Sequence, residues 1–311
     1  MPDLADINHR FALPDHLHFE RGPGGLLFAA VRTELASARL CLQGAHLTDW
    51  QPRGHKPVIW LSPKAIYAPG QALRGGVPVC WPWFGAQAGG PAHGFARTLT
   101  WDVSSSALNA DGSVRLQLGL VDNAQTRGIW NHRFTLCLEC TIGATLTLKL
   151  TTVNCSDTTM TLTQALHSYF AVGNIEAVVV HGLENCAYQD KLRGFAWDHQ
   201  RGPIRFAQET DRIYVDRSAQ CVIEDPSWDR RLHIAKTGSA STVVWNPWRE
   251  RAATLTDMPA ESYRDMLCVE TCNAGDDQLQ IAPGAQHALS AHISVETISS
   301  RNAASALADQ V

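Results

Sequence analysis

The stretch SVRLQLGLVDNAQTRGIWNHRFTLCLECTIGATLTLKL, residues 113–150, alternates apolar and polar side chains with period two. Val114, Leu116, Leu118 and Leu120 fall on one side of an extended chain, as do Phe134, Leu136 and Leu138. Leu146, Leu148 and Leu150 do the same against Thr145, Thr147 and Lys149. A strand turns successive side chains to opposite faces, so each run predicts a strand with one buried face. Turn-forming residues punctuate the chain at Asn109-Ala110-Asp111-Gly112, Asn123 to Gly128, Gly143, Asn154 to Asp157 and Gly202-Pro203. Short strands at fairly even spacing, with little sustained helical periodicity, predict an all-β fold. The expected form is a large antiparallel β-sandwich rather than a set of βαβ units. With no linker or shift in composition, one domain is expected over residues 1–298. Residues 299–311 are read as a C-terminal tail, the best helical candidate in the chain and equally a frayed end.

A chain of 311 residues, 45% hydrophobic, has enough apolar material for a large core. The formal net charge is −4 and the basic residues are scattered. That leaves no electrostatic footprint for nucleic acid or an anionic membrane, and neither is an expected partner. The opening MPDLADINHR lacks the apolar run of a secretory signal, and no stretch approaches the roughly 20 apolar residues that cross a bilayer. A soluble cytoplasmic protein is expected. The nine cysteines lack the dense spacing of a disulfide scaffold and read as buried small hydrophobes.

Arg74 and Arg97 bracket a segment rich in glycine, proline and tryptophan, RGGVPVCWPWFGAQAGGPAHGFAR, in a chain otherwise poor in charge. A guanidinium offers a planar fork of donors that fits a phosphate or carboxylate, and tryptophans offer flat walls to a sugar ring. The segment therefore reads as an anion site on a sugar-binding surface. The alternative is a structural loop whose arginines pair with carboxylates and whose Trp81 and Trp83 are core. In TLTQALHSYF, alternation puts Thr163, Ala165, His167 and Tyr169 on one face of a strand, where an imidazole can exchange a proton or serve as a structural histidine. In DMLCVETCNA, Met266, Cys268, Glu270 and Cys272 share a face. A carboxylate in such company is either paired or working as a base with a shifted pKa. Cys268 and Cys272 have no second pair at ligand spacing, and no metal is expected. Asp211, beside Arg212, is a candidate for sugar hydroxyls or half of an exposed ion pair. No nucleophile elbow, phosphate-binding loop or zinc-protease motif is present, and Gly22-Pro23-Gly24-Gly25 reads as a turn.

Several segments together resemble the aldose 1-epimerase superfamily, in its hexose-6-phosphate mutarotase branch. They are GAHLTDWQP (44–52), PVIWLSPKA (57–65), RGGVPVCWPWFG (74–85), PAHGFAR (91–97), LHSYF (166–170), VVWNPW (243–248) and CVET (268–271). The resemblance implies a galactose-mutarotase-like sandwich, usually monomeric, that interconverts α and β anomers of a hexose phosphate without a cofactor. It puts His167 in the place of the general acid and Glu270 in that of the general base. Asp211 takes the place of a hydroxyl ligand and Arg74 and Arg97 those of phosphate ligands, with His93 beside them. Ala92 departs from the pattern, since some relatives carry a polar, substrate-contacting residue there. A neutral-sugar epimerase and a non-catalytic carbohydrate-binding sandwich are the alternatives. The first has no use for the arginine pair, the second none for an acid–base pair.

Overall fold

The computed structural model describes residues 3–216 and 220–299. Every pairing between its named strands is antiparallel. The period-two runs lie in a nine-stranded sheet, where Val114–Val121, Phe134–Ile142 and Leu146–Asn154 are consecutive neighbours. Their leucines are buried as the alternation requires. Strand Gln286–Thr297 continues this sheet beside Leu146–Asn154 and leads on to Arg230–Thr237.

An eight-stranded sheet packs against it. From Thr210–Val215 it runs through Ser241–Asn246, Met266–Asn273 and Gln164–Leu166 to Val79–Cys80 at one edge, with Tyr169–Ala171 also pairing with Met266–Asn273. Leu166, Tyr214, Val244 and Val269 join the leucines of the nine-stranded sheet in one apolar core. The protein is thus the expected β-sandwich. The opposite face of the eight-stranded sheet holds a smaller cluster of Cys80, Ala165, Ile213, Val243 and Cys272, with Phe84 and Trp245 packed on it. A four-stranded meander from Leu17–Arg21 to His46–Pro52 stands beside these sheets.

Three short helices run against the expectation that little helix would form outside the tail. Leu4–Phe11 is capped by the Asp3 carboxylate, Ala124–Ile129 replaces the expected break at Asn123 to Gly128 and is capped by Asn123, and Trp248–Thr254 follows Pro247. Each buries one side chain, so the apolar repeat that marks a helix in sequence is nearly absent. Of the expected helical tail, residues 300–311 lie outside the described residues.

Candidate active site

The strand expected to carry His167 is interrupted. Gln164–Leu166 and Tyr169–Ala171 both pair with Met266–Asn273 in a single register, Leu166 opposite Thr271 and Tyr169 opposite Cys268. Continued through the gap, that register sets His167 across from Glu270. At the gap the His167 amide donates instead to the Pro78 carbonyl, at 3.1 Å. The imidazole Nε2 lies 3.5 Å from Glu270 Oε1, with the two residues 8% and 1% exposed. Among the described residues neither His167 Nδ1 nor Glu270 Oε2 has a hydrogen-bond partner, so both retain capacity for a ligand.

Around the pair is a cavity of about 340 Å³, lined by Arg74, His93, Arg97 and Asp211 as well as His167 and Glu270. All six residues singled out in the sequence therefore meet in one place. The residues Phe84, Tyr169, Lys191 and Trp245 also line it. The Tyr169 ring stacks on His167 at 4.8 Å and Trp245 meets His167 edge-on at 6.2 Å. Trp81 is wholly buried, and the Trp83 indole donates to the Pro91 carbonyl at 2.8 Å. These two tryptophans shape the loop, while the aromatic walls come from Phe84, Tyr169 and Trp245.

Arg74 is not free. Its Nε donates to both oxygens of Asp257 at 3.1 and 3.2 Å, and its Nη1 to the Tyr169 hydroxyl at 3.2 Å. Both readings of this arginine hold in part, since it is paired with a carboxylate and it faces the cavity. The next two residues fix its position. Gly76 has φ +69°, and a Cβ there would lie 2.3 Å from the His46 ring, whose Nε2 approaches the Gly75 carbonyl at 2.7 Å. Arg97 donates to the Ala92 carbonyl at 2.6 Å, and its buried Nε has no partner among the described residues. Gly94, at φ +73°, lets the loop pass Trp81, whose carbonyl oxygen would be 1.9 Å from a Cβ.

Asp211 is held by Lys191, whose ammonium reaches its two oxygens at 2.8 and 2.7 Å. Arg212 points to the other face of its strand, toward Asp190. The alternative reading of Asp211 and Arg212 as an exposed pair does not hold, since each pairs elsewhere. Nothing in YQDKLRG sets Lys191 apart in the sequence. Trp245, by contrast, lies inside the segment VVWNPW.

Burial dominates the electrostatics. It pushes the Glu270 carboxyl well above the usual carboxylate range, a shift opposed by Lys191 and reinforced by Asp211. It holds His167 well below the usual imidazole range, helped by its coupling to the neighbouring His93 and by the charges of Arg97, Arg74 and Lys191. His93 is lowered to about 3 by burial and by the same cations, so it is neutral. The Gly85 amide donates to its Nδ1 at 3.3 Å, which leaves the ring proton on Nε2 as a donor. His167, Cys268 and Glu270 bring donor atoms within 4.8 Å of one another, and burial raises the Cys268 thiol well above its usual range. A larger groove of about 880 Å³ runs along the four-stranded meander past His18, Arg39 and Asp49, away from these groups.

Comparison with known proteins agrees with this constellation. A sequence model described as aldose 1-epimerase matches residues 30–294. A protein of Escherichia coli (strain K12) with the provisional name glucose-6-phosphate 1-epimerase is 39% identical over 244 residues, which is 78% of this chain and 81% of its own length. A relative from Cenchrus ciliaris with the same provisional name is 30% identical over 272 residues, 84% of this chain and 82% of its own. The crystal structure of a provisionally named mutarotase from Salmonella typhimurium superposes with a TM-score of 0.86 at 34% identity, covering 92% of this chain and 96% of that one. Sandwich, cavity and sequence agree, and the chain belongs to the aldose 1-epimerase family.

Proposed function

We propose that the protein interconverts the α and β anomers of hexose 6-phosphates, with glucose 6-phosphate favoured, by opening and reclosing the sugar ring. One observation carries the reading: a carboxyl and an imidazole 3.5 Å apart share a cavity with two arginines. Ring opening needs a proton taken from the anomeric hydroxyl and a proton given to the ring oxygen. Glu270 as carboxylate takes the first while His167 as imidazolium gives the second. The C1–O5 bond breaks and the open-chain aldehyde forms. Rotation about C1–C2 and reclosure, with both transfers reversed, give the other anomer. The pair starts and ends with one proton between its two members, and neither transfer calls for a metal or an organic cofactor.

In the empty site, burial favours that proton on Glu270 beside a neutral His167. A phosphate dianion against Arg74 and Arg97 offsets the positive charges that disfavour the imidazolium, so the substrate itself helps to move the proton to His167. The arginines hold the phosphate while C1 turns over, and Asp211 accepts from a ring hydroxyl. The protein acts as a monomer on a small sugar phosphate. The nine unpaired cysteines fit the reducing cytoplasm.

Two-dimensional exchange NMR tests the reading. Wild-type protein is expected to speed anomer exchange of glucose 6-phosphate far above that of free glucose. His167→Asn and Glu270→Gln should each lose about 10²- to 10⁴-fold. Equal acceleration of free glucose, untouched by Arg97→Ala, would make the protein a neutral-sugar epimerase. Binding of sugar without any exchange would make it a binding module.

A further inference from the structure

Lys191 enters neither the mechanism above nor the sequence motifs, yet it occupies a built position. It follows strand Ala187–Asp190, and the turn that carries it is pinned at several points. The Asp190 carboxylate accepts from the Leu192 amide at 3.0 Å, the Phe195 amide donates to the Asp190 carbonyl at 2.8 Å, and Gly194 takes the left-handed conformation. The ammonium stands between the two oxygens of Asp211 and the ring of Phe84, 5.7 Å from the ring centroid. It is a side chain with a fixed base and two fixed partners, and it lines the same cavity as Glu270.

We propose that Lys191 is a substrate-contacting residue, donating to one ring hydroxyl of the hexose while Asp211 accepts from its neighbour, and that it is also the cation serving Glu270. This rests on the hexose-phosphate reading of the cavity. Adjacent hydroxyls on a sugar ring each present a donor and an acceptor, and an ammonium locked to a carboxylate presents the complementary pair. Because Lys191 reaches both oxygens of Asp211, the two side chains meet the sugar as a unit.

The groups facing Glu270 assign the second role. Cys268 and Cys272 on its own strand, Cys80 on the strand Val79–Cys80, and Tyr169 all couple to it, and burial keeps these four neutral. His167 is its 3.5 Å neighbour. Beyond these, Asp211 disfavours the carboxylate and Lys191 favours it. Lys191 also disfavours the charged form of His167. Removing the cation therefore makes both members of the pair hold protons more tightly, so both limbs of the pH profile must move the same way.

The experiment is the pH dependence of kcat/KM for glucose 6-phosphate exchange in wild type, Lys191→Met and Lys191→Arg, with circular dichroism confirming that each is folded. Lys191→Met is expected to lose about ten- to a hundredfold in kcat/KM, the range of a hydrogen bond to a charged group. Its whole bell should shift to higher pH, and Lys191→Arg should restore the wild-type position. An unchanged kcat/KM in Lys191→Met, or a loss with the bell unmoved, overturns the proposal. A wild-type protein that leaves glucose 6-phosphate at its spontaneous rate of exchange overturns the hexose-phosphate reading itself, and this inference with it.

Discussion

Two buried groups 3.5 Å apart, one anionic and one cationic when charged, titrate as a pair rather than as separate residues. The form of the His167–Glu270 pair that carries a single proton is the working one, whichever residue holds it. With ordinary side-chain pKa values, ionisation of Glu270 is the lower limb of a bell-shaped pH profile and deprotonation of His167 the upper. Burial acts against that order, because it raises the carboxyl and lowers the imidazole. In the empty enzyme, the acid limb is then a second proton arriving on a reluctant His167, and the alkaline limb is loss of the last proton from Glu270. NMR titration of the His167 ring, assigned by difference from His167→Asn, should find it neutral where an ordinary imidazole, near pH 6.5, becomes charged. Saturating inorganic phosphate should raise that pKa, since the phosphate offsets Arg74 and Arg97. A titration near 6.5 that phosphate does not move would rule this charge coupling out.

The elements position these groups through interruptions more than through regular structure. The gap at His167-Ser168 releases two residues from the ladder and leaves the first of them opposite Glu270. Face parity in TLTQALHSYF and DMLCVETCNA was enough to put both side chains on one side of their strands. It could not show that the strands were neighbours, because register depends on pairings far apart in the chain. Arg74 was legible as a guanidinium facing a site, while its partner Asp257 lies 183 residues away and leaves no mark near it. Lys191 was illegible for the same reason, since its meaning comes from Asp211 across a strand pair. The short helices escaped because each buries a single side chain.

The turn before Arg97 offers a test at this scale. Gly94→Ala adds a Cβ at positive φ against the Trp81 carbonyl, a strain on the order of 1–3 kcal/mol. Urea denaturation should show a loss of that size, together with weaker phosphate binding as His93 and Arg97 are displaced. Unchanged stability and binding would mean that the loop passes Trp81 in some other way.

For the whole molecule, we propose one domain over residues 1–298. The interleaving of sheets supports it: strand Gln286–Thr297, near the end of the described chain, lies between Leu146–Asn154 and Arg230–Thr237. No cut in the chain separates the eight-stranded sheet from the nine-stranded one. The alternation in residues 113–150 made the fold class readable because each strand declares its buried face locally. The order of strands was not readable, since antiparallel runs of similar pattern are interchangeable until they pack.

That central place of Gln286–Thr297 also bears on how the protein is made. During synthesis the two flanking strands emerge long before the one that joins them, and each must wait with an unpaired edge facing the cell. Open edges of this kind recruit other chains, so the nascent protein is most exposed to aggregation just before its last strand arrives. A chain ending at residue 285 should accumulate as insoluble, inactive material rather than as a smaller enzyme, measured as the soluble fraction after expression. Soluble, active protein from that truncation would show that the sheet closes without its middle strand.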